Sequence, residues 1–383
     1  MDNSSLIFLK GLYSSDGKKA FALSKLTNLM ALIILSFFVT GCFKEKNLSF
    51  KIADAENQFF TKSGRLFITG GKNIFEIRKD SSNKLIKSEP LFSGKCYATG
   101  IIQHRNFLYA TCTSMKKPTI KELIKGKKCR IKGKNLLNCL KHKFSRSYLL
   151  AAELNENPEF EIISPIDQIT FPNGLTVDKS GNIYSADSIS KEIFKIKISS
   201  YDPYQIESIK SWYNKNLTFP NGLKIRNNSL FVTDFNKLKK ITITNEGRPG
   251  ALKVIYKSKD LLDDFSFYKK SILVTKFSKG IITLIKENGK NFNSPRFKMH
   301  PSSILQGKRP LFKENQFIVT DKGLPYDFRS DLGNRIKIIT IQNMLPRQKL
   351  PKIFIRSGSF YIIKRDVFLN IQHPTWSKKY HNS

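Results

Sequence analysis

Short apolar runs of about five residues alternate along this chain with turns rich in Gly, Asn and Lys. They group into units of an apolar strand, a turn, a second β-branched strand and then a third. Two units share a phrase: "FPNGLTVDKSGNIYSADS" begins at Phe171, and "FPNGLKIRNNSLFVTDFN" begins 48 residues later at Phe219. Recurrence at a period of roughly 20 to 50 residues marks an array of similar units. Weaker copies open at Glu56, Thr99, Asp263 and Pro301, which makes six. Six such units closing on themselves predict an all-β fold, a six-bladed β-propeller, in which radial closure protects the strand edges that an open sheet exposes.

Some segments fall outside the pattern. Ser114 to Arg146 is a lysine-dense stretch read as an insertion between the second and third units, projecting from one face. The alternating stretch "KIFIRSGSFYIIK" after Leu345 is a candidate to finish the sixth blade, and "NLSFKIAD" from Asn47 a candidate strand to close the ring. The propeller is therefore expected over residues 47–372, with a frayed tail over 373–383.

The N-terminal stretch changes the compartment. Leu29 to Val39 is an apolar run too short to span a bilayer as a helix, and Lys18, Lys19 and Lys25 precede it. It ends in "VTGC", which looks like a bacterial lipobox, so residues 1–41 read as a lipoprotein signal peptide, Cys42 as the lipidated residue and 42–46 as its tether. Phe43, rather than aspartate, after the cysteine favours the outer membrane over the inner. With Cys42 lipidated, four of the five cysteines remain. Cys96 and Cys112 flank a hairpin centred on His104, and Cys129 and Cys139 flank a Gly-Lys turn near Lys134, so two disulfides are expected, the second stapling the insertion. The cysteines lack metal-ligand spacing.

The net charge is +36, from 66 basic and 30 acidic residues. Such an excess attracts anionic surfaces. The lysines are spread along the chain without a nucleic-acid-binding motif, so the expected partners are an anionic envelope polymer or lipid, and no nucleic acid. A monomer anchored to the membrane through its lipid is expected.

The residue opening each unit's first strand sits near the propeller axis. Aligned in this way, Glu56, Thr99, Asn173, Asn221, Asp263 and Ser302 converge on one funnel. Glu56, Asn173, Asn221 and Asp263 offer two carboxylates and two amide oxygens, a donor set suited to a hard cation such as Ca²⁺ and unsuited to zinc. In these phrases the chain resembles the six-bladed propellers of the gluconolactonase/regucalcin-like and paraoxonase-like superfamily, over about Glu56 to Ile341. That resemblance implies a catalytic divalent ion on the same four residues and hydrolysis of a lactone or ester, with Asp263 or its neighbour Asp264 as the base that takes a proton from water.

The sequence also departs from that superfamily. Where paraoxonase-like members place a histidine pair, Thr111 to Ser114 contains none. His104 and His142 read as surface residues, whereas His300 precedes the sixth unit and is within reach of the funnel. Asp187, Asp234 and Asp321, which end second strands, read as turn caps. G-x-S-x-G is absent, which removes the serine-hydrolase reading. Three classes are compatible with the residues: a calcium-dependent hydrolase at the envelope, a non-catalytic propeller docking an anionic envelope component or a protein, and a structural ion site without chemistry.

Overall fold

A computed structural model describes residues 43–115, 144–294, 296–297, 300–323 and 334–341. These residues form six antiparallel sheets of a β-propeller. Blades 1 to 5 open with the strands Ala55–Phe60, Tyr97–His104, Pro172–Val177, Pro220–Arg226 and Leu262–Tyr268, and run outward in chain order. Blade 6 is made of His300–Gln306, Gln316–Lys322 and Arg335–Ile341, and its outermost strand is Phe43–Lys51 from the other end of the chain. That strand pairs antiparallel with Arg335–Ile341, placing Phe43 opposite Ile341 and Asn47 opposite Lys337. The ring is thus closed by backbone hydrogen bonds between residues far apart in sequence. The closing strand starts at Phe43, inside the segment expected to be a tether, and blade 6 has its four strands without the stretch after Leu345, which lies outside the described residues.

Apolar side chains fill the spaces between blades rather than one central core. Phe67 and Ile74 of blade 1 pack on Ala98, Ile101 and Leu108 of blade 2. Tyr184, Ile193 and Trp212 of blade 3 pack on Leu223, Leu230 and Val232 of blade 4. Ile318, Ile336 and Ile338 of blade 6 close the circle on Ile52, Leu66 and Ile68. Strands buried on both faces explain why the repeats read as apolar runs rather than strict alternation.

The lysine-dense stretch sits elsewhere than expected. The second strand of blade 2 continues past Cys112 to Met115 and the third begins at Phe144, with Ser114 opposite Arg146 and Met115 opposite Phe144. Residues 116–143, which lie outside the described residues, are therefore inserted inside a hairpin of blade 2 and not between units two and three. Alternation of polar and apolar residues fades after Cys112, which hid the last turnings of the strand. Cys96 and Cys112 form the expected disulfide, with Cα atoms 5.4 Å apart. The expected partners Cys129 and Cys139, and Cys42, lie outside the described residues.

Every blade carries a bulge at the start of its innermost strand. The pairing register slips between Ala55 and Gln58, Ala98 and Ile101, Pro172 and Leu175, Pro220 and Leu223, Leu262 and Phe265, and Pro301 and Ser303. The bulged residues are Glu56, Thr99, Asn173, Asn221, Asp263 and Ser302, the six positions that the repeat alignment brings to the axis. Bulges re-aim side chains and recur beside functional sites.

Glycine after asparagine follows from crowding there. A Cβ on Gly174 would lie 2.4 Å from the Asn221 carbonyl oxygen, and one on Gly222 would lie 2.7 Å from Asp264 Oδ1 and 2.9 Å from its Cα. Neighbouring inner strands touch backbone to backbone, and only hydrogen fits. Gly174→Ala is therefore expected to lower the melting temperature, by overpacking that costs about 1–3 kcal/mol. Reducing the Cys96–Cys112 disulfide should cost about 3 kcal/mol for a loop of this size, read as a shift of the denaturation midpoint.

Candidate functional site

The rest of the FPNG phrase positions the asparagine. Asp187, ending the second strand of blade 3, accepts the backbone N–H groups of Thr170 and Phe171 at 2.6 and 3.2 Å and those of Ile189 and Ser190 at 2.9 and 3.0 Å. Asp234 accepts from Thr218 and Phe219 in the same way at 2.8 and 2.6 Å. These carboxylates are the turn caps expected from sequence, and they fix the entry of the strand that presents Asn173 or Asn221. Asp234 also binds the buried Lys239 ammonium at 2.5 Å. Asp321 occupies the equivalent place in blade 6 but pairs with Lys337 at 3.2 Å.

Hydroxyls then tie one blade to the next around the axis. Thr69 Oγ1 donates to the Thr99 carbonyl at 2.7 Å, Thr99 Oγ1 to Pro172 at 2.8 Å and Ser188 Oγ to Pro220 at 2.6 Å. Thr233 Oγ1 donates to the Asp263 carbonyl, and Ser302 Oγ donates to Ala55 at 2.7 Å. Between blades 5 and 6, Asp264 accepts from Ser303 Oγ at 2.7 Å and from the Ile304 N–H at 3.2 Å. Together these contacts link all six blades.

Inside this girdle the four expected ligands are present but unequally engaged. Asn221 donates its amide N–H to Asp263 Oδ1, which uses the donor end of the amide. Asn173 donates to Ser188 Oγ at 3.4 Å, and its Oδ1 is buried with no hydrogen-bond partner among the described residues. Glu56 Oε2 accepts from the Lys322 ammonium, which also lies 3.0 Å from Asp54 Oδ1. Burial, reinforced by the Glu56 charge, pushes the Asp263 carboxyl well above the usual carboxylate range, against the opposing pull of Lys322. Asp54 is raised too, chiefly by burial.

The two candidate bases separate. Asp264 turns into the blade 5–6 seam, where Lys224 Nζ meets Oδ1 at 2.6 Å while Ser303 and Ile304 bind Oδ2. Both its oxygens are engaged, so it stands as a seam residue, while Asp263 faces the axis. His300 stacks on Phe277 at 4.7 Å and hydrogen-bonds the Phe277 carbonyl through Nδ1 at 2.9 Å. His104 is partly buried, covering Gly181, and burial lowers its pKa.

A small cleft with a cavity volume of about 30 Å³ opens beside this cluster, lined by Asp54, Glu56, Tyr97, Thr99, Thr113, Phe144, Phe171 and Lys322, so that of the four expected ligands Glu56 alone lines it. Phe144 and Phe171 stack 4.4 Å apart, so one wall is aromatic and the floor carries charge. Asp54 and Lys322 were missed from sequence. The only signal for Lys322 is a lysine directly after the repeated aspartate in "VTDK", where "SADS" and "VTDF" have none.

No protein-family model and no curated protein matches the sequence. Solved structures do match. A calcium-binding protein, regucalcin, from Agrobacterium tumefaciens aligns with a TM-score of 0.54 at 10% identity, over 78% of this chain and 94% of its own. A gluconolactonase from Xanthomonas campestris gives 0.53 at 10% identity, over 79% and 91%. The fold is that of the regucalcin and gluconolactonase propellers. A luciferin-regenerating enzyme shares it, with a TM-score of 0.53 at 12% identity over 78% of this chain and 95% of its own.

Whether the axis suits a divalent ion is a question of donors and charge. Among the described residues no three His, Cys, Asp or Glu side chains converge as a metal site, so an ion there depends on the amide oxygens of Asn173 and Asn221. Those amides are present, one with an unpartnered buried oxygen. The carboxylates of Asp54 and Glu56 alone outnumber the Lys322 ammonium, and a hard cation is the kind of group that answers both the excess charge and the orphaned oxygen.

Asp234→Ala should separate the cap from the chemistry. It strips Lys239, only 5% exposed, of its carboxylate, and leaving such a charge unpaired costs about 3–5 kcal/mol. Chemical denaturation is expected to show that loss, with a smaller one for Asp187→Ala, which strands no cation.

Proposed function

We propose that the protein is a lactone or ester hydrolase working at the axial mouth with calcium, or another hard divalent ion, held by Glu56, Asn173, Asn221 and Asp263. The observation that carries this reading is the buried, unpartnered Asn173 Oδ1, set in the same ring of bulges as the desolvated Asp263. A divalent ion on these oxygens supplies Lewis-acid polarisation of a carbonyl. The chain supplies the rest. The Phe144–Phe171 wall takes the apolar face of a small ring or acyl group. Asp263, whose carboxylate Asn221 holds in place, takes a proton from the attacking water. The product is a hydroxy acid.

The setting is the bacterial cell envelope, with a monomer held to the membrane by lipid on Cys42. The net charge of +36 favours a second reading, a non-catalytic propeller docked on an anionic envelope polymer or lipid. Metal content, calcium-dependent melting and turnover of a lactone and ester panel by the purified protein discriminate between the two. Calcium at millimolar concentration is expected to raise the melting temperature, since a ligand confined to the folded state stabilises it by mass action. Asn173→Ala should weaken calcium binding by about tenfold or more, and Asp263→Asn should abolish turnover. A melting curve indifferent to calcium and EDTA, with no turnover, would leave the docking reading.

A further inference from the structure

We infer that Lys322 is a tethered cation that competes with the divalent ion for Glu56 and so sets how tightly the axial site loads. The inference rests on the metal reading above. Lys322 is the last residue of the second strand of blade 6, directly after Asp321. The strand register places Gly71, Thr113, Ser188, Phe235 and Phe277 at the corresponding positions of the other blades, one residue beyond the partner of each bulge's first residue. Of these six positions only blade 6 has a cation, and its ammonium is placed on Glu56 Oε2 and 3.0 Å from Asp54 Oδ1. All three side chains are nearly buried, at 15%, 13% and 10% exposure. Asp54 cannot easily swing away, because its backbone N–H is held by Asn334 Oδ1 at 2.9 Å.

An ammonium in that place opposes a divalent ion twice over. It occupies an oxygen that the ion would coordinate, and it repels a second positive charge across a poorly hydrated gap. Affinity in oxygen-ligand calcium sites is tuned by the charge count of the ligands and the rigidity of the site. Lys322 lowers the net negative charge by one. It also gives Asp54 and Glu56 a partner when no ion is bound, so the blade 6–1 junction does not depend on the metal.

Lys322→Met keeps an unbranched side chain and removes the charge. Terbium luminescence and calcium calorimetry should then report binding about tenfold or more tighter than in the unmodified protein. In EDTA the variant should melt below the unmodified protein and recover in millimolar calcium, because its two carboxylates have lost their counter-ion. The double variant Glu56→Gln with Lys322→Met returns the cluster to its original net charge, and in EDTA should melt above Lys322→Met, without the gain in affinity. Should Lys322→Met fail to fold even with calcium, labelling of Lys322 by an acylating reagent in the unmodified protein decides. Faster labelling with calcium supports displacement, and a rate unchanged by saturating calcium overturns it. Equal calcium affinity in the unmodified and Lys322→Met proteins overturns the role of Lys322 and leaves the hydrolase reading intact. Absence of binding in both proteins removes both.

Discussion

Six inner strands must meet at one axis, and there is barely room for them. Where blade 3 passes blade 4, the space beside Gly174 is closed by the Asn221 carbonyl, and beside Gly222 it is closed by Asp264. Backbones this close leave polar groups that water cannot reach, so their hydrogen bonds must come from the chain. The bulges and the hydroxyl girdle are the answer. Each bulge frees one side chain from the sheet and aims it at the axis. Thr233, Thr275 and Thr320 accept the backbone N–H of Gly222, Asp264 and Ser303, the residue after each bulged one, at 2.8 Å, which locks the bulge in place. The axial cluster is therefore a by-product of closure: bulges of neighbouring blades are brought side by side, as Asn221 is to Asp263 and Thr99 to Pro172.

That dependence explains what the sequence discloses. The FPNG phrase is local, and each of its letters has a local cause: a backbone N–H held by Asp187 or Asp234, a proline opening the strand, an axial amide, and a glycine where a Cβ will not fit. Aligning units on such letters was enough to place Glu56 and Asp263, even in blades whose repeats are weak. Lys322 and Asp54 were beyond reach because their meeting with Glu56 is made by ring closure. Lys322 and Glu56 are 266 residues apart in the chain, and no periodicity connects them. Asp263 and Asp264 were indistinguishable for a different reason. Adjacent strand residues point to opposite faces, and which of the two faces the axis depends on a register slip invisible in composition.

Equivalent letters also acquire different partners. Asp187 serves four backbone donors, Asp234 shares its charge with the buried Lys239, and Asp321 faces Lys337, whose ammonium also meets Glu45 at 2.9 Å on the closing strand. The third case occurs at the seam where the two ends of the chain join. There the cap acts on closure instead of on a loop, and burial raises the Asp321 carboxyl above its ordinary range despite Lys337. A repeat thus keeps its residue while the neighbouring blade decides what the residue does.

The axial cluster works against the stability that closure provides. Asp54, Glu56 and Asp263 are held nearly out of water, and each gives up hydration that only an opposite charge can replace. The interfaces between blades are apolar and continuous, which lets the ring carry this penalty. One ammonium meets part of it without filling the site, and Asp263 shows the remainder as a carboxyl reluctant to ionise. A carboxyl of that kind is a poor structural element and a good proton acceptor. On the hydrolase reading proposed above, the same shortage of positive charge that costs stability at the axis is what a bound cation and a base would draw on, so filling it completely with side-chain charge would quiet both.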